Sequence, residues 1–314
     1  MNQQFRKDVD EGLSATVKHL PSKYFYDDEG SRIFQQIMLM PEYYLTNCEF
    51  EILEQQSACI HNAFDFTQHF NIIELGAGDG SKTFQLLRYL TEQEVDFTYV
   101  PVDISTEAMD QLKAALQKQL PQLSIQPVVG DYFQVLREKT ASDNSQNLLL
   151  FLGGNIGNYA YDEALQLLQL FNSVMKSNDK LLIGMDLQKN PITIHSAYYD
   201  PAGITKAFNL NLLRRINREL GGNFIIDQFD FYCHYHPGNG EVRSFLVSLE
   251  DQIVEIADLG KSYHFQKNEL IGTELSKKYT FEEIEQLAQN SGFEIRKNFL
   301  DSRQYFTNTL WTKP

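Results

Sequence analysis

The sequence predicts an α/β protein built on a doubly wound parallel sheet, accompanied by a second, α+β domain that is split in sequence. Three observations carry this. Short, near-continuous apolar runs recur at FNIIEL (70–75), FTYVPVD (97–103), LSIQPVV (123–129), NLLLFLG (147–153) and KLLIGMDL (180–187), as strands buried on both faces require. Between them lie segments with apolar residues at three- and four-residue spacing, at 82–90, 105–120 and 161–175, the period of a helix with one buried stripe. Strand and helix therefore alternate, the pattern of a sheet wound by right-handed crossovers.

The C-terminal part adds a helix over 280–290 and two strand-like runs, GFEIRKNFL and QYFTNTLWT, joined by a polar turn at Asp301 to Arg303. Such a hairpin suits the edge of the sheet. Residues 1 to 60 are helical and aromatic-rich, whereas 189 to 279 combine a helix over 204–220 with β-like runs such as NFIIDQFDFYCHYH and EVRSFLVSLE. The expected division is therefore 61–188 plus 280–314 for the wound sheet, and 1–60 plus 189–279 for a domain capping its open end, with a substrate between the two.

Bulk chemistry narrows the function. The 314 residues are 42% hydrophobic and carry a formal net charge of -15, with a pI near 4.9. That field repels phosphate backbones and anionic membranes, so neither nucleic acid nor membrane is an expected partner. Cys48, Cys59 and Cys233 show no metal-binding spacing; no metal is expected, and all three read as buried thiols in a reducing compartment. The polar N-terminus and the lack of any run near the roughly 20 apolar residues of a membrane span point to a cytoplasmic protein, expected to be a monomer.

The chemical signal is IIELGAGDGSKT (72–83), where a buried strand ends in glycines and a helix begins. Gly76, Gly78 and Gly80 allow positive φ and close approach of main chain to a ligand at the carboxyl edge, where wound sheets bind nucleotides. A dinucleotide site wants GxGxxG and a phosphate-wrapping loop wants GxxxxGK[ST]; in both, Ser81 stands where a glycine is needed, which argues against an ATP-hydrolysing protein. The next strand ends in Asp103, able to accept from both ribose hydroxyls or to cap the following helix. After the third strand, Asp131 and Tyr132 offer an acceptor for an adenine amino group and a ring to pack on the base. Together they indicate a ligand bearing adenosine.

The resemblance extends beyond this motif. ELGAGDGSKT, FLGGNIGN (151–158), KYFYDDEGSRIFQQIMLMPEYYLT (23–46), AYYDPAGITKAFNLNLLRRINREL (197–220) and TELSKKY (273–279) together resemble the histidine-specific methyltransferase family of ergothioneine biosynthesis, over nearly the whole chain. The resemblance implies a Rossmann-like, seven-stranded class I methyltransferase sheet with S-adenosylmethionine as cofactor. It implies cofactor roles for Gly76, Gly78, Lys82, Asp103, Asp131 and Tyr132.

The resemblance also implies an amino-acid pocket. Tyr43, Asn158 and Tyr198 would hold the carboxylate and amino group; Tyr26 and Phe34 would pack beside the amine and imidazole; Gly153 would line the floor. Glu274 and Ser276 would face the imidazole nitrogens, with Tyr26 and Tyr43 as the catalytic hydroxyls. Each has a plainer alternative: a Glu and a Ser two apart on a strand can form one solvated face, tyrosines can simply pack, and Asn158 can cap the helix that follows. Where relatives acting on histidine place a methionine against the ring, this sequence has Ser244. The implied reaction is methylation of the α-amino group of L-histidine, up to the trimethyl betaine hercynine. The alternatives are an α-N-methyltransferase for another amino acid or a histidine derivative, a P-loop nucleotide-binding protein, and a binding module without turnover.

Overall fold

The computed structural model describes residues 2–78, 80–103, 106–130 and 145–314, and the chain divides into two compact units, residues 1–44 with 189–277 and residues 45–188 with 278–314. The division differs from the expected halves at 45–60 and 278–279. An unbroken helix over Tyr44–Phe64 makes residues 45–60 part of the second unit, and Tyr279 is hydrogen-bonded to that unit's own strand, its N–H donating to Asp186 O at 2.9 Å.

Unit one opens with α1 (Asn2–Ser14) and α2 (Asp28–Met38). Asp27 starts α2, its carboxylate accepting from Gly30 N at 2.7 Å and from the Asn211 amide at 2.8 Å. The helix over Tyr44–Phe64, α3, then enters unit two, whose elements are β1 (Phe70–Leu75), α4 (Thr83–Glu92), β2 (Phe97–Asp103), α5 (Thr106–Gln119), β3 (Val128–Val129), β4 (Gln146–Phe151), α6 (Tyr161–Val174) and β5 (Lys180–Asp186). Unit one resumes with α7 (Pro191–Tyr198), α8 (Ile204–Leu220), β6 (Phe229–His236), β7 (Glu241–Ser248), β8 (Gln252–Ile256), β9 (Lys261–Phe265) and β10 (Leu270–Lys277). Unit two closes with α9 (Phe281–Asn290), β11 (Glu294–Leu300) and β12 (Phe306–Thr312).

The sheet of unit two has the order β11-β12-β5-β4-β1-β2-β3. β1 pairs in parallel with β2 and β4, and β4 with β5; the hairpin adds β12 antiparallel to β5 and puts β11 at the edge. Strands β1 and β5 are buried along their whole length, which accounts for their near-continuous apolar sequences; β12 is equally buried but carries Thr307, Asn308, Thr309 and Thr312 among its apolar residues. The chain runs from β1 outward to β3 and then returns to β4 on the other side, so the carboxyl ends of β1 and β4 flank the point where winding reverses. Wound sheets bind ligands at that crevice.

The run LSIQPVV yields only two strand residues. Pro127 cannot donate to the ladder; Ile125 makes an isolated bridge to Tyr99 and pairing resumes at Val128.

Unit one has a three-stranded antiparallel sheet, β10-β7-β6, and a two-stranded one, β8-β9, built around a core that includes Phe5, Phe25, Phe208, Leu213 and Phe265. Burial alternates along β7, as a sheet with one covered face demands. A bulge between Gly272 and Glu274 shifts the register of β10 against β7. α8 starts after the DPAG turn, where the Asp200 carboxylate accepts from Ile204 N and Thr205 N, both at 2.8 Å. Cys48 and Cys233 are buried as expected, but Cys59 is exposed, because it lies on the outer side of α3.

Candidate active site

In unit two, β1 runs into three glycines in the left-handed region, Gly76 at φ +70°, Gly78 at +56° and Gly80 at +68°. A Cβ on Gly78 would meet nothing within 4 Å, whereas one on Gly80 would stand 2.5 Å from Leu112 on α5. The first therefore leaves bare main chain facing open space, as a cradle for a ligand does, and the second lets helix and loop pack closely. Asp103 is half-buried at the end of β2, its carbonyl accepting from Gly130 N at 3.1 Å. Asp131 and Tyr132 lie outside the described residues.

Beneath this loop is a buried acid that sequence reasoning missed. Glu74, on β1, accepts from Thr83 Oγ1 at 2.6 Å and from the Tyr99 hydroxyl. Burial pushes its carboxyl up to about 7, against the opposing pull of those two hydroxyls and of the Lys82 charge.

At the end of β4, Gly153 (φ +81°) and Gly154 (+69°) turn the chain into the short 3-10 helix Asn155–Asn158. Asn158 is exposed and does not cap α6. Ala160 holds that position, its N–H donating to the Glu163 carboxylate at 3.0 Å. Lys82, at the start of α4, forms an ion pair with Glu49 of α3. Glu49 also accepts from Gly153 N, at 2.9 Å to each oxygen.

Unit one gathers the remaining candidates. The rings of Tyr26 and Phe34 meet edge-on with centroids 5.4 Å apart, Phe34 and Tyr43 at 6.3 Å, and Tyr43 and Tyr198 at 6.2 Å. Phe208 of α8, hidden in the sequence among the apolar positions of a helix, backs both Tyr26 and Phe34 at 5.8 Å. At the far end of this row the Tyr198 and Ser276 hydroxyls hydrogen-bond at 2.8 Å.

Glu274 and Ser276 are not a solvated face. Ser276 is buried, and Glu274 stands opposite Ser244, whose buried hydroxyl donates to the Glu274 carboxylate at 3.3 Å. The thiol of Cys233, itself the register partner of Ser244, donates weakly to Tyr198 O at 3.5 Å. Burial, helped by the Glu274 charge, pushes that thiol up to about 12, so it stays protonated. The row thus runs through four aromatic rings to the paired hydroxyls of Tyr198 and Ser276, with the Glu274 carboxylate two residues away on β10. Among the described residues no group of His, Cys, Asp or Glu could hold a metal ion.

A family model described as histidine-specific methyltransferase, SAM-dependent, matches residues 5–313, which takes in both units. The chain belongs to this family. A histidine N-alpha-methyltransferase of Mycobacterium tuberculosis is 35% identical over 87% of this chain and 84% of its own length. One from Mycolicibacterium smegmatis is 34% identical over 89% and 85%. An L-tryptophan methyltransferase of Psilocybe serbica is 28% identical over 91% of this chain and 86% of its own.

The protein is therefore an S-adenosylmethionine-dependent methyltransferase acting on a small molecule. The left-handed glycines, the open space at Gly78 and the acid at the end of β2 fit that cofactor. No helix among the described residues is long and apolar enough to cross a membrane.

Proposed function

We propose that the protein methylates the α-amino group of L-histidine, repeatedly, to the trimethyl betaine hercynine, as a step of ergothioneine biosynthesis. The observation that carries the reading is the row Tyr26, Phe34, Tyr43, Tyr198 ending at Ser276, with Glu274 alongside. It offers what a bound histidine needs: aromatic faces for an amine that becomes quaternary, and a carboxylate and a hydroxyl for two ring nitrogens. Family membership and the mycobacterial relatives, named for this activity, support the same substrate.

When bound, S-adenosylmethionine would supply an electrophilic methyl carbon, on a sulfonium that can leave as a neutral thioether. The chain's residues position and select. In this reading Gly76, Gly78, Lys82 and Asp103, with Asp131 and Tyr132, would hold the cofactor; of the residues expected to serve the amino-acid end, Tyr43 and Tyr198 belong to unit one, and Asn158 and Gly153 to unit two. An ammonium has no lone pair, so the site must take up the neutral amine. The hydroxyls of Tyr26 and Tyr43 are placed in this reading as the relay that carries the proton away. The final quaternary nitrogen donates no hydrogen bond and is suited to the faces of Tyr26 and Phe34. The acidic charge of the chain supports a free small molecule, not a nucleic acid, as acceptor.

A second reading, a different amino acid as acceptor, is favoured by Ser244. Its hydroxyl occupies one oxygen of Glu274, where relatives acting on histidine carry a methionine, and the fungal relative is named for tryptophan. Mass spectrometry of histidine and of tryptophan, each incubated with enzyme and S-adenosylmethionine, separates the two. Gains of one to three methyl groups on histidine are expected, and methylation of tryptophan alone overturns the reading. Glu274→Ala should weaken histidine selectively. Asp103→Ala should weaken the cofactor by about tenfold or more, as loss of a hydrogen bond to a charged acceptor does.

A further inference from the structure

The switch crevice of unit two holds a device that neither the glycine motif nor the aromatic row requires. Glu49 is fully buried on α3, outside the sheet, and its carboxylate reaches under two neighbouring strand ends at once. It accepts from Gly153 N after β4 and pairs with the ammonium of Lys82 after the β1 loop. Room for it is reserved: a Cβ on Gly184 of β5 would stand 2.2 Å from Glu49 Oε1. The Lys82 ammonium hangs over the β4 loop, 3.4 Å from where a Gly153 Cβ would be.

The two partners are unequal in a telling way. The Glu49 side chain is 1% exposed, and that of Lys82 is 22% exposed. A carboxylate sunk this deeply with one ion-pair partner fixes that partner's position, while the ammonium, with three donors, keeps a face toward the crevice. Its charge there suits a carboxylate.

We propose that Glu49 is a positioning residue: it holds Lys82 and the Gly153 turn in the register that receives the carboxylate of the cofactor's amino-acid end. The proposal rests on reading Lys82 as a cofactor contact. Its test therefore reports on each residue separately, by calorimetry on the full chain with two ligands. S-adenosylhomocysteine carries the amino-acid end; 5′-methylthioadenosine shares adenosine and thioether but lacks it.

Lys82→Met should weaken S-adenosylhomocysteine about tenfold, the loss of one charge-assisted hydrogen bond, and leave methylthioadenosine within about twofold. Glu49→Gln, which keeps the shape and an acceptor for Gly153, should reproduce that pattern. The double variant should bind no more weakly than Lys82→Met alone. Equal weakening of both ligands by Glu49→Gln, no weakening of either, or additive losses in the double variant overturn the proposal. A Lys82→Met variant that binds S-adenosylhomocysteine normally overturns instead the reading of Lys82 on which it rests. Should Glu49→Gln fail to fold, Glu49→Asp, which keeps the charge and shortens its reach, must discriminate between the ligands in the same way or the proposal falls.

Discussion

Glu74→Gln is the substitution that most directly exposes the energetics beneath the glycine loop. The wild-type carboxyl is raised by burial from an ordinary 4.5 to about 7. At about 1.4 kcal/mol for each pH unit, ionising it in the folded unit costs about 3 kcal/mol relative to the unfolded chain. Because the folded value lies above the unfolded one, this contribution is complete below about pH 4.5 and disappears as pH rises through about 7. Glutamine does not ionise, so its stability lacks this slope. It also turns an amide N–H₂ toward one of the two hydroxyl donors, Thr83 or Tyr99, at a cost of about 1–3 kcal/mol.

The variant should accordingly be less stable than wild type at pH 4.5 and should close most of that gap, or overtake, by pH 8. The chain's only tryptophan, Trp311, is buried in β12 of the same unit, so guanidinium unfolding followed by its fluorescence reads the unit that contains Glu74. Parallel stability profiles for wild type and variant between pH 4.5 and 8 would refute the reasoning.

Three further outcomes follow from the same geometry. Lys278 and Asp186 form an ion pair at 2.9 Å with both side chains 1% exposed; Lys278→Met removes the ammonium from a buried carboxylate and should cost about 3–5 kcal/mol by Trp311 fluorescence, with much of it restored in Lys278→Met/Asp186→Leu. Burial alone would raise the Asp200 carboxyl, but the N–H groups of Thr205 and Ile204 hold it below its ordinary value. Its contribution is present above the unfolded value and lost as pH falls through the folded one, so Asp200→Ala should speed hydrogen exchange in the first turn of α8 by about 1 kcal/mol near neutrality, with the difference from wild type fading in strong acid. Gly184→Ala places a methyl against the Glu49 carboxylate and should destabilise unit two by about 1–3 kcal/mol while lowering S-adenosylhomocysteine affinity in calorimetry.

Much of unit two is legible because the central strands β1, β2, β4 and β5 bury both faces and so write near-continuous apolar runs. The helix stripes between them, the glycine turn at its tip and the edge hairpin follow from short-range rules. What escapes is long-range. Glu49 sits in TNCEFEIL, a stretch whose glutamates look like any helix surface, and nothing local says that this one lies under Gly153 and Lys82. Glu74 is embedded in a strand where a carboxylate would ordinarily be excluded, and only the hydroxyls of Thr83 and Tyr99, distant in sequence, make it tolerable. In unit one, FYCHYH and SFLVS announce alternating strands, but the bulge in β10 that sets Glu274 opposite Ser244 carries no proline or paired-turn signature. The aromatic row draws on four separate segments, so spacing alone gives no hint that Phe208 backs Tyr26 and Phe34.

The discontinuity of both units has a consequence for biogenesis. β5 emerges from the ribosome long before β12, the strand that covers its outer edge, and all of β6 to β10 is synthesised in between. Unit one, in turn, waits for those residues before its first two helices find their core. Neither half can finish while the other is still being made, and a bare, apolar β5 edge persists until β12 has been synthesised, the kind of edge that recruits other strands. Slow elongation should therefore favour aggregation of nascent chains here, where in proteins with consecutive domains it commonly protects against it.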